Sequence, residues 1–514
     1  MLTLFRKQSK IYLTDMDYIS IKNNGCIPLA SIPELEYDNF LASNVFDLMC
    51  ETQNHCVNYY GFPDNGKIKL ICCIANDDTH IINVSSTLVV PGKQYPSFST
   101  HNLAFEKFER EIHENFDIAY HDHPWLKPVR YSANRVDKSK TIANYPFYSI
   151  ASEELHEVGV GPIHAGIIEP GHFRFICNGE QILHLEIQLG YQHRGIEQLF
   201  LEKKNLLQRT TLAESITGDT VVGHTTAFVN LWESMCGFKP ECDLQFARTL
   251  ALELERIAIH TGDLSGMCTD IAYQLGSSVF GRLRTPIINY FQQWCGNRVS
   301  KSLIRAGKSN FPFTQSLAST LTEVFDKYEP DFNEMCTELF RMPSALSRFE
   351  KTGVVSEADV RKIGTVGLSA RMNGVNRDIR LSHPHDFYPE IKHQPIIKHH
   401  GDVYSRAQMR RQEIGQSMDY IRNLMKDLPD INSNRSELES PQSNVFAISL
   451  VEGWRGEICH CAITDEKGDL RHYKIKDPSF HNWLALAIAV RNNEISDFPI
   501  SNKSFDFSYS GHDL

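Results

Sequence analysis

The chain has 514 residues, of which 41% are hydrophobic and 22% charged, so it is too long for one hydrophobic core and ordinary in composition for a globular protein. Its 52 basic and 63 acidic side chains leave a net charge of −11, which argues against free nucleic acid as a partner, since phosphate binding needs a basic face. No apolar run reaches the roughly 18–20 residues of a membrane span. The opening "MLTLFRKQSKIYLTD" lacks the apolar centre of a secretory leader, so a cytoplasmic location is expected.

Residues 1–145 alternate strand-like runs, "KIKLICCIA" and "HIINVSSTLVV", with an amphipathic helix, "NLAFEKFEREIHENF" (102–116). Leu103, Phe105, Phe108, Ile112 and Phe116 recur there at helical spacing, and the segment reads as a small α/β domain. "HDHPWLKPVRYSANRVDKSK" (121–140), polar and broken by two prolines, reads as an extended arm. A second domain, 146–514, follows. It opens with alternating strands around Asn178-Gly179, a hairpin signal. Helices are expected over 196–212, 224–236, 243–262, about 314–346 and 402–426. "PDINSNRSELESPQSN" (429–444) reads as a polar loop, and "VFAISLVEGWRGEICHCAIT" with "LRHYKIKDPS" as a terminal hairpin closing on the bundle. "WLALAIAV" (483–490) is buried core. The expected fold class is therefore α+β: a small α/β domain plus a large, mainly helical bundle domain with small β elements at its ends.

The 13 cysteines are scattered and no C-x-x-C occurs. Cys459 and Cys461 share one face of a strand and read as core packing, and Cys236 and Cys242 merely flank a turn. No complete iron–sulfur or zinc ligand set is present. "AESITGDTVVGHTTAF" (213–228) is ambiguous: Thr217 and Thr220 stand at i, i+3 with His224 one turn later. The threonines read either as caps of a helix start or as the remains of a site.

Four phrases bear on that ambiguity: "GPIHAGIIEPGHFRF" (161–175), "YQHRGIEQL" (191–199), "GLSARMNGVNRDIR" (367–380) and "VEGWRGEICH" (451–460). In this order they resemble the large-subunit superfamily shared by nickel–iron hydrogenases and the 49-kDa-type subunit of respiratory complex I. The earlier "FEREIHENFDIAYHDHPWLKP" resembles the 30-kDa-type subunit. The fusion looks most like the large subunit of formate hydrogenlyase and hydrogenase-4-type complexes. The resemblance implies electron transfer beside a small iron–sulfur subunit that holds a 4Fe–4S cluster, with membrane-arm subunits as further partners, on the cytoplasmic face of the inner membrane.

Hydrogenases of this type hold nickel and iron through two C-x-x-C pairs. Their positions fall on Thr217 and Thr220, and on Ser508 and Gly511 of "SFDFSYSGHDL", so all four thiolates are missing. A soft nickel–iron centre needs ionisable thiolates, and the expectation is that the family centre is absent, with no metal ligands in this chain. Complex I relatives carry "H-P-x-x-H" in the quinone loop, whereas here the loop runs from His164 to Ile168 without the second histidine. Through the resemblance, Glu169, His193, Arg194 and His224 are candidates for coupling protons to electrons. His164, Arg371 and Asp378 are candidates for lining the cavity. An oxidoreductase subunit without its own nickel–iron centre is the first reading, and a scaffold that docks the iron–sulfur subunit and the membrane arm is the second. An active hydrogenase or a quinone reductase is disfavoured, and there is no Gly-rich nucleotide fingerprint.

Overall fold

The computed structural model describes residues 17–164, 168–431 and 437–514. The opening segment up to residue 16, positions 165–167 of the His164 loop and part of the 429–444 loop lie outside these. Among the described residues no helix is long and apolar enough to cross a membrane.

The N-terminal half builds a five-stranded sheet whose main path runs Ile19–Ile21, Ile81–Val89, Lys67–Asn76, Asn54–Asp64, all antiparallel, with Glu34–Leu35 added parallel to Ile81–Val89. In "KIKLICCIA", Leu70, Cys72 and Ile74 pack with Phe105, Phe108 and Ile112 around the helix Glu106–Phe116. The intervening Ile71, Cys73 and Ala75 pack against a second sheet. Period-two alternation with both faces covered makes the run continuously apolar.

That second sheet has the order Leu470–Lys476, Glu457–Thr464, Val445–Glu452, Gly25–Pro28. What reads in sequence as a terminal hairpin is thus three consecutive strands, completed by an edge strand from the start of the chain: Ile27 pairs with Phe446 and Cys26 with Ala447. Phe446, Ile448, Leu450, Cys459 and Cys461 face the N-terminal sheet. Ala447, Val451, Ile458 and Ala462 face the helix Val221–Met235 and the bundle behind it. The Sγ atoms of Cys459 and Cys461 lie 3.7 Å apart in the inter-sheet core, free and packed as expected.

The bundle centres on the 29-residue helix Cys242–Asp270, eight residues longer at its end than its expected span, beside Gln274–Cys295, Gln315–Leu339 and Val403–Leu424. The expected helix over 196–212 is two: Ile196–Glu202 stops, and Asn205 caps a new start at Leu206–Ala213 by accepting from Leu207 N. The 314–346 span likewise breaks after Leu339, and Pro343–Phe349 begins afresh on its own N-terminal proline. The helix Gln274–Cys295 has no counterpart among the expected elements, because Gly276, Gly281 and Pro286 punctuate it. The hairpin at Asn178-Gly179 is present between His172–Asn178 and Gln181–Gln188, with Gly179 at φ +57°, and His156–Val160 adds a third strand. "WLALAIAV" lies in a helix, Pro478–Ala489, capped by Asp477.

Two of the quoted motifs meet through their glycines. Gly367, at φ +63°, and Gly456, at φ +136°, stand back to back. A Cβ on Gly367 would lie 2.1 Å from the Gly456 Cα, and one on Gly456 2.7 Å from the Gly367 Cα. Only two glycines permit this approach of "GLSAR" to "GWRGE".

Candidate functional site

The positions of the two vanished C-x-x-C pairs converge, although about 290 residues separate them in the chain. Thr217 and Thr220 precede the helix Val221–Met235, and Ser508 caps the short helix Tyr509–Asp513 by accepting from Gly511 N at 2.8 Å. A Cβ on Gly511 would stand 2.8 Å from the Thr217 Cγ2 and 2.6 Å from the Asp477 Cγ. Asp477 therefore occupies the space beside both halves. Thr217, Thr220, Ser508 and Asp477 are all buried, and the Thr217 hydroxyl has no partner.

The threonines do not cap the helix. Thr220 donates to Asp219 Oδ1 at 3.2 Å and accepts from Arg455 Nη1 at 3.1 Å. Arg455 in turn holds Asp219 through two 2.7 Å contacts. The cap comes from a different helix: Glu255 accepts from Val222 N at 2.8 Å and Gly223 N at 3.2 Å. Burial pushes the Glu255 carboxyl up to about 8, against the pull of those two N–H groups. The folded chain thus keeps a proton that the unfolded chain releases above about pH 4.5. The Glu255 contribution is fully present below that pH and is lost as pH rises toward 8, with a slope of up to about 1.4 kcal/mol per pH unit. In urea titrations across this window, Glu255→Gln should flatten the decline by about that slope; an unchanged profile would show that Glu255 is ionised throughout.

His224 is fully buried and links Asp477 to the second sheet. Its Nε2 lies 3.0 Å from Asp477 Oδ2 and its Nδ1 3.1 Å from His460 Nε2. His460 Nδ1 lies 2.7 Å from the Tyr473 hydroxyl. Although burial opposes it, the His224 hydrogen bond and charge hold Asp477 below its ordinary range. Burial, then His224, hold His460 well below its own, and burial keeps Tyr473 protonated. Tyr473, His460, His224 and Asp477 thus form one continuous hydrogen-bonded row, with the Asp477 carboxylate as the acceptor at its end.

Of the residues expected from sequence, three gather around the Tyr509–Asp513 helix. Glu169 Oε2 accepts from Tyr509 N at 3.2 Å, and His193 Nδ1 donates to Asp513 O at 2.8 Å. Arg194 donates to Ser215 O at 2.7 Å, Ile216 O at 2.8 Å and Ser510 O at 3.4 Å, tying the loop before Thr217 to the segment before Gly511. His164 Nε2 lies 2.9 Å from Gly171 O and holds its own loop.

Arg371 and Asp378 sit elsewhere, in a fully buried ion network. Glu253, Arg256 and His260 project from one face of the Cys242–Asp270 helix at i, i+3, i+7 spacing. Glu413 receives Arg371 at 2.5 Å, His260 at 2.8 Å and Arg256 at 3.6 Å. Asp378 receives Arg380 at 2.7 Å, His393 at 3.0 Å and Arg371 at 3.4 Å. Burial disfavours ionisation of Glu253, but Arg256 and Arg380 outweigh it and bring its carboxyl down to about 2. Glu452 goes the other way: burial first, then the Asp378 charge, raise it to about 8. With Glu452 protonated, the carboxylates of Glu253, Asp378 and Glu413 match the guanidiniums of Arg256, Arg371 and Arg380 in number.

Asp477, His460, Glu255 and Arg455 were not singled out in sequence. Asp477 carried a signal, since Asp-Pro-Ser is a helix start, but nothing local shows where that start points. His460 was masked by the two cysteines beside it, although strand alternation turns it to the opposite face. Among the described residues no group of three or more His, Cys, Asp or Glu is placed to hold a metal ion.

Comparison with known proteins agrees with the motif order. Residues 270–447 match the family model for the respiratory-chain NADH dehydrogenase 49-kDa subunit. The chain is 25% identical over 388 residues to hydrogenase-4 component G of Escherichia coli, covering 76% of this chain and 67% of that protein. It is 27% identical over 352 residues to the carbon monoxide-induced hydrogenase of Rhodospirillum rubrum, covering 68% and 97%. It is also 27% identical over 387 residues to the fused C/D polypeptide of the NADH-quinone oxidoreductase of Phocaeicola vulgatus, covering 74% and 72%. These matches support placing the chain with the complex I 49-kDa and hydrogenase large-subunit superfamily. Its 30-kDa-like segment and 49-kDa-like segment follow one another as in the fused C/D type. Within this superfamily the Asp477 cluster lies where the hydrogenase resemblance places the four thiolates.

Proposed function

We propose that this chain is the large subunit of a membrane-associated, complex I-like or hydrogenase-like oxidoreductase complex, seated beside the 4Fe–4S cluster of a small partner subunit on the cytoplasmic face of the membrane. Its relatives support the general kind, being named as hydrogenase and NADH-quinone oxidoreductase subunits. In place of a nickel–iron centre it carries a packed polar cluster. The observation behind this is the convergence of Thr217, Thr220, Ser508 and Gly511 on Asp477: two threonines, a serine and a glycine do not fit a nickel–iron centre, and the Gly511 position admits no side chain while Asp477 stands there. Elemental analysis of the purified complex should find nickel far below one per chain, and a small iron–sulfur subunit should co-purify. Stoichiometric nickel would refute the reading of the cluster, and a partnerless chain would refute the role in a complex.

A second reading, a scaffold that carries no redox-linked step, is favoured by the same close packing. The histidine row separates the two. If Asp477 takes part in proton coupling, Asp477→Asn removes the ionisable acceptor at the end of the row and should lower turnover of the intact complex by about 10²-fold or more, the scale of a lost acid–base group. If the chain is a scaffold, the variant assembles and turnover holds.

A further inference from the structure

A cleft-like cavity of about 310 Å³ opens between the helices Glu106–Phe116 and Pro478–Ala489 and is bordered by His512 of the Tyr509–Asp513 helix. It is independent of the redox reading above. We propose that this cavity binds a small monoanion with a flat apolar body, of the aromatic carboxylate class, with Lys107 as the counter-charge.

Size and walls set the body of the ligand. The volume is about twice the ~150 Å³ of a cavity that takes up benzene, which suits a two-ring body. Trp125, Leu185, Leu189, Trp483 and Ala487 supply apolar surface, and the buried Trp483 indole N–H meets no acceptor. A few polar groups on an apolar wall is the common composition of small-molecule sites.

Charge sets the head group. Glu106 is committed to Arg110 at 2.6 Å, and Glu186 to Lys127 at 2.7 Å and to Tyr148 N at 2.7 Å. Lys107 has no hydrogen bond or ion pair among the described residues, and neither has Arg491 at the cavity wall. The lining therefore holds two unpaired cations, and one positive charge in excess, on a chain whose net charge is −11. Lys107 keeps some accessible surface although protein surrounds it, as expected of a side chain whose open flank is a cavity. Burial, partly offset by Glu106, pulls its ammonium down to about 8, so it is still charged at neutral pH. His512 lies on the same wall and is held neutral by burial and then by Lys107, so it does not compete for the anion. A buried ammonium without an acceptor is costly, and a carboxylate placed on it relieves that cost.

The test is calorimetric titration of the full chain with 2-naphthoate and with its neutral analogue 2-naphthamide. The acid is expected to bind one per chain, at least about tenfold more tightly than the amide. Lys107→Met should weaken the acid by at least about tenfold and leave the amide unchanged, whereas Lys107→Arg should retain the preference for the acid. Ala487→Phe, which places a ring in the cavity, should remove both. Equal affinity for acid and amide, an unaffected Lys107→Met, or no saturable binding of 2-naphthoate to the wild-type chain would each overturn the proposal. The acid-to-amide ratio is read on the unmodified chain, so the result does not depend on any variant folding.

Discussion

Replacing Glu413 with leucine should lower the unfolding free energy by about 3–5 kcal/mol, the scale of removing one partner from a buried ion pair. The carboxylate receives Arg371, His260 and Arg256, and every one of these side chains is buried. Leucine restores the volume but none of the charge. Arg371 would keep Asp378 and Glu452 at 3.4 Å, and Arg256 would keep Glu253 at 3.4 Å as its carboxylate partner beside the Gly453 and Glu452 carbonyls. Glu452 can take up part of the loss by ionising, because it is held near 8 by burial and by Asp378 rather than by any lack of cations. The gap between variant and wild type should therefore narrow as pH rises from 7 to 9: the wild type loses stability as Glu452, protonated in the fold and ionised in the unfolded chain, gives up its proton, whereas the freed Arg371 of the variant already favours the ionised Glu452. Urea titration at the two pH values checks both statements. A loss below 1 kcal/mol, or one independent of pH, would mean that the network is not the closed ionic unit described above.

The second large effect is expected at Gly367. Alanine there is forced into a backbone region that costs about 1–3 kcal/mol, and its methyl group meets the Gly456 Cα at 2.1 Å. Overpacking against backbone adds about 1–3 kcal/mol, because no flexible side chain can yield. A combined loss of about 2–6 kcal/mol, or failure to accumulate folded protein, is the expected result. Gly218, by contrast, has open space where a methyl group would stand, with no atom within 4 Å, and its φ is unexceptional, so Gly218→Ala should be close to neutral in the same denaturation assay. Comparable losses at both positions would show that the Gly367–Gly456 contact is not special.

These residues also show what sequence reading can and cannot reach. The phrases "GLSARMNG" and "GWRGE" were recognisable because they encode a requirement of backbone proximity that few other residues meet. The superfamily was legible for that reason, as was the α+β class, since amphipathic helices and alternating strands carry their periods locally. The second sheet was only half legible. The "KIKLICCIA" run showed a strand with both faces covered, but not what covered them. The site was least legible. Thr217 and Gly511 could be paired through the resemblance, yet Asp477 enters from a helix cap whose local signal says where a helix begins and nothing of its destination. The true cap on Val221–Met235 was not legible for a related reason: Glu255 reaches it from another helix, and such a cap leaves no mark near the helix it serves.

The edge strand Gly25–Pro28 also bears on synthesis. Its partner Val445–Glu452 leaves the ribosome about 420 residues later, some 20–80 s at ordinary elongation rates. For that interval the apolar face of the N-terminal sheet has no cover and the strand no partner. A nascent chain halted before residue 445 should accordingly be a strong client for chaperones, and release of the last seventy residues should end that dependence in one step.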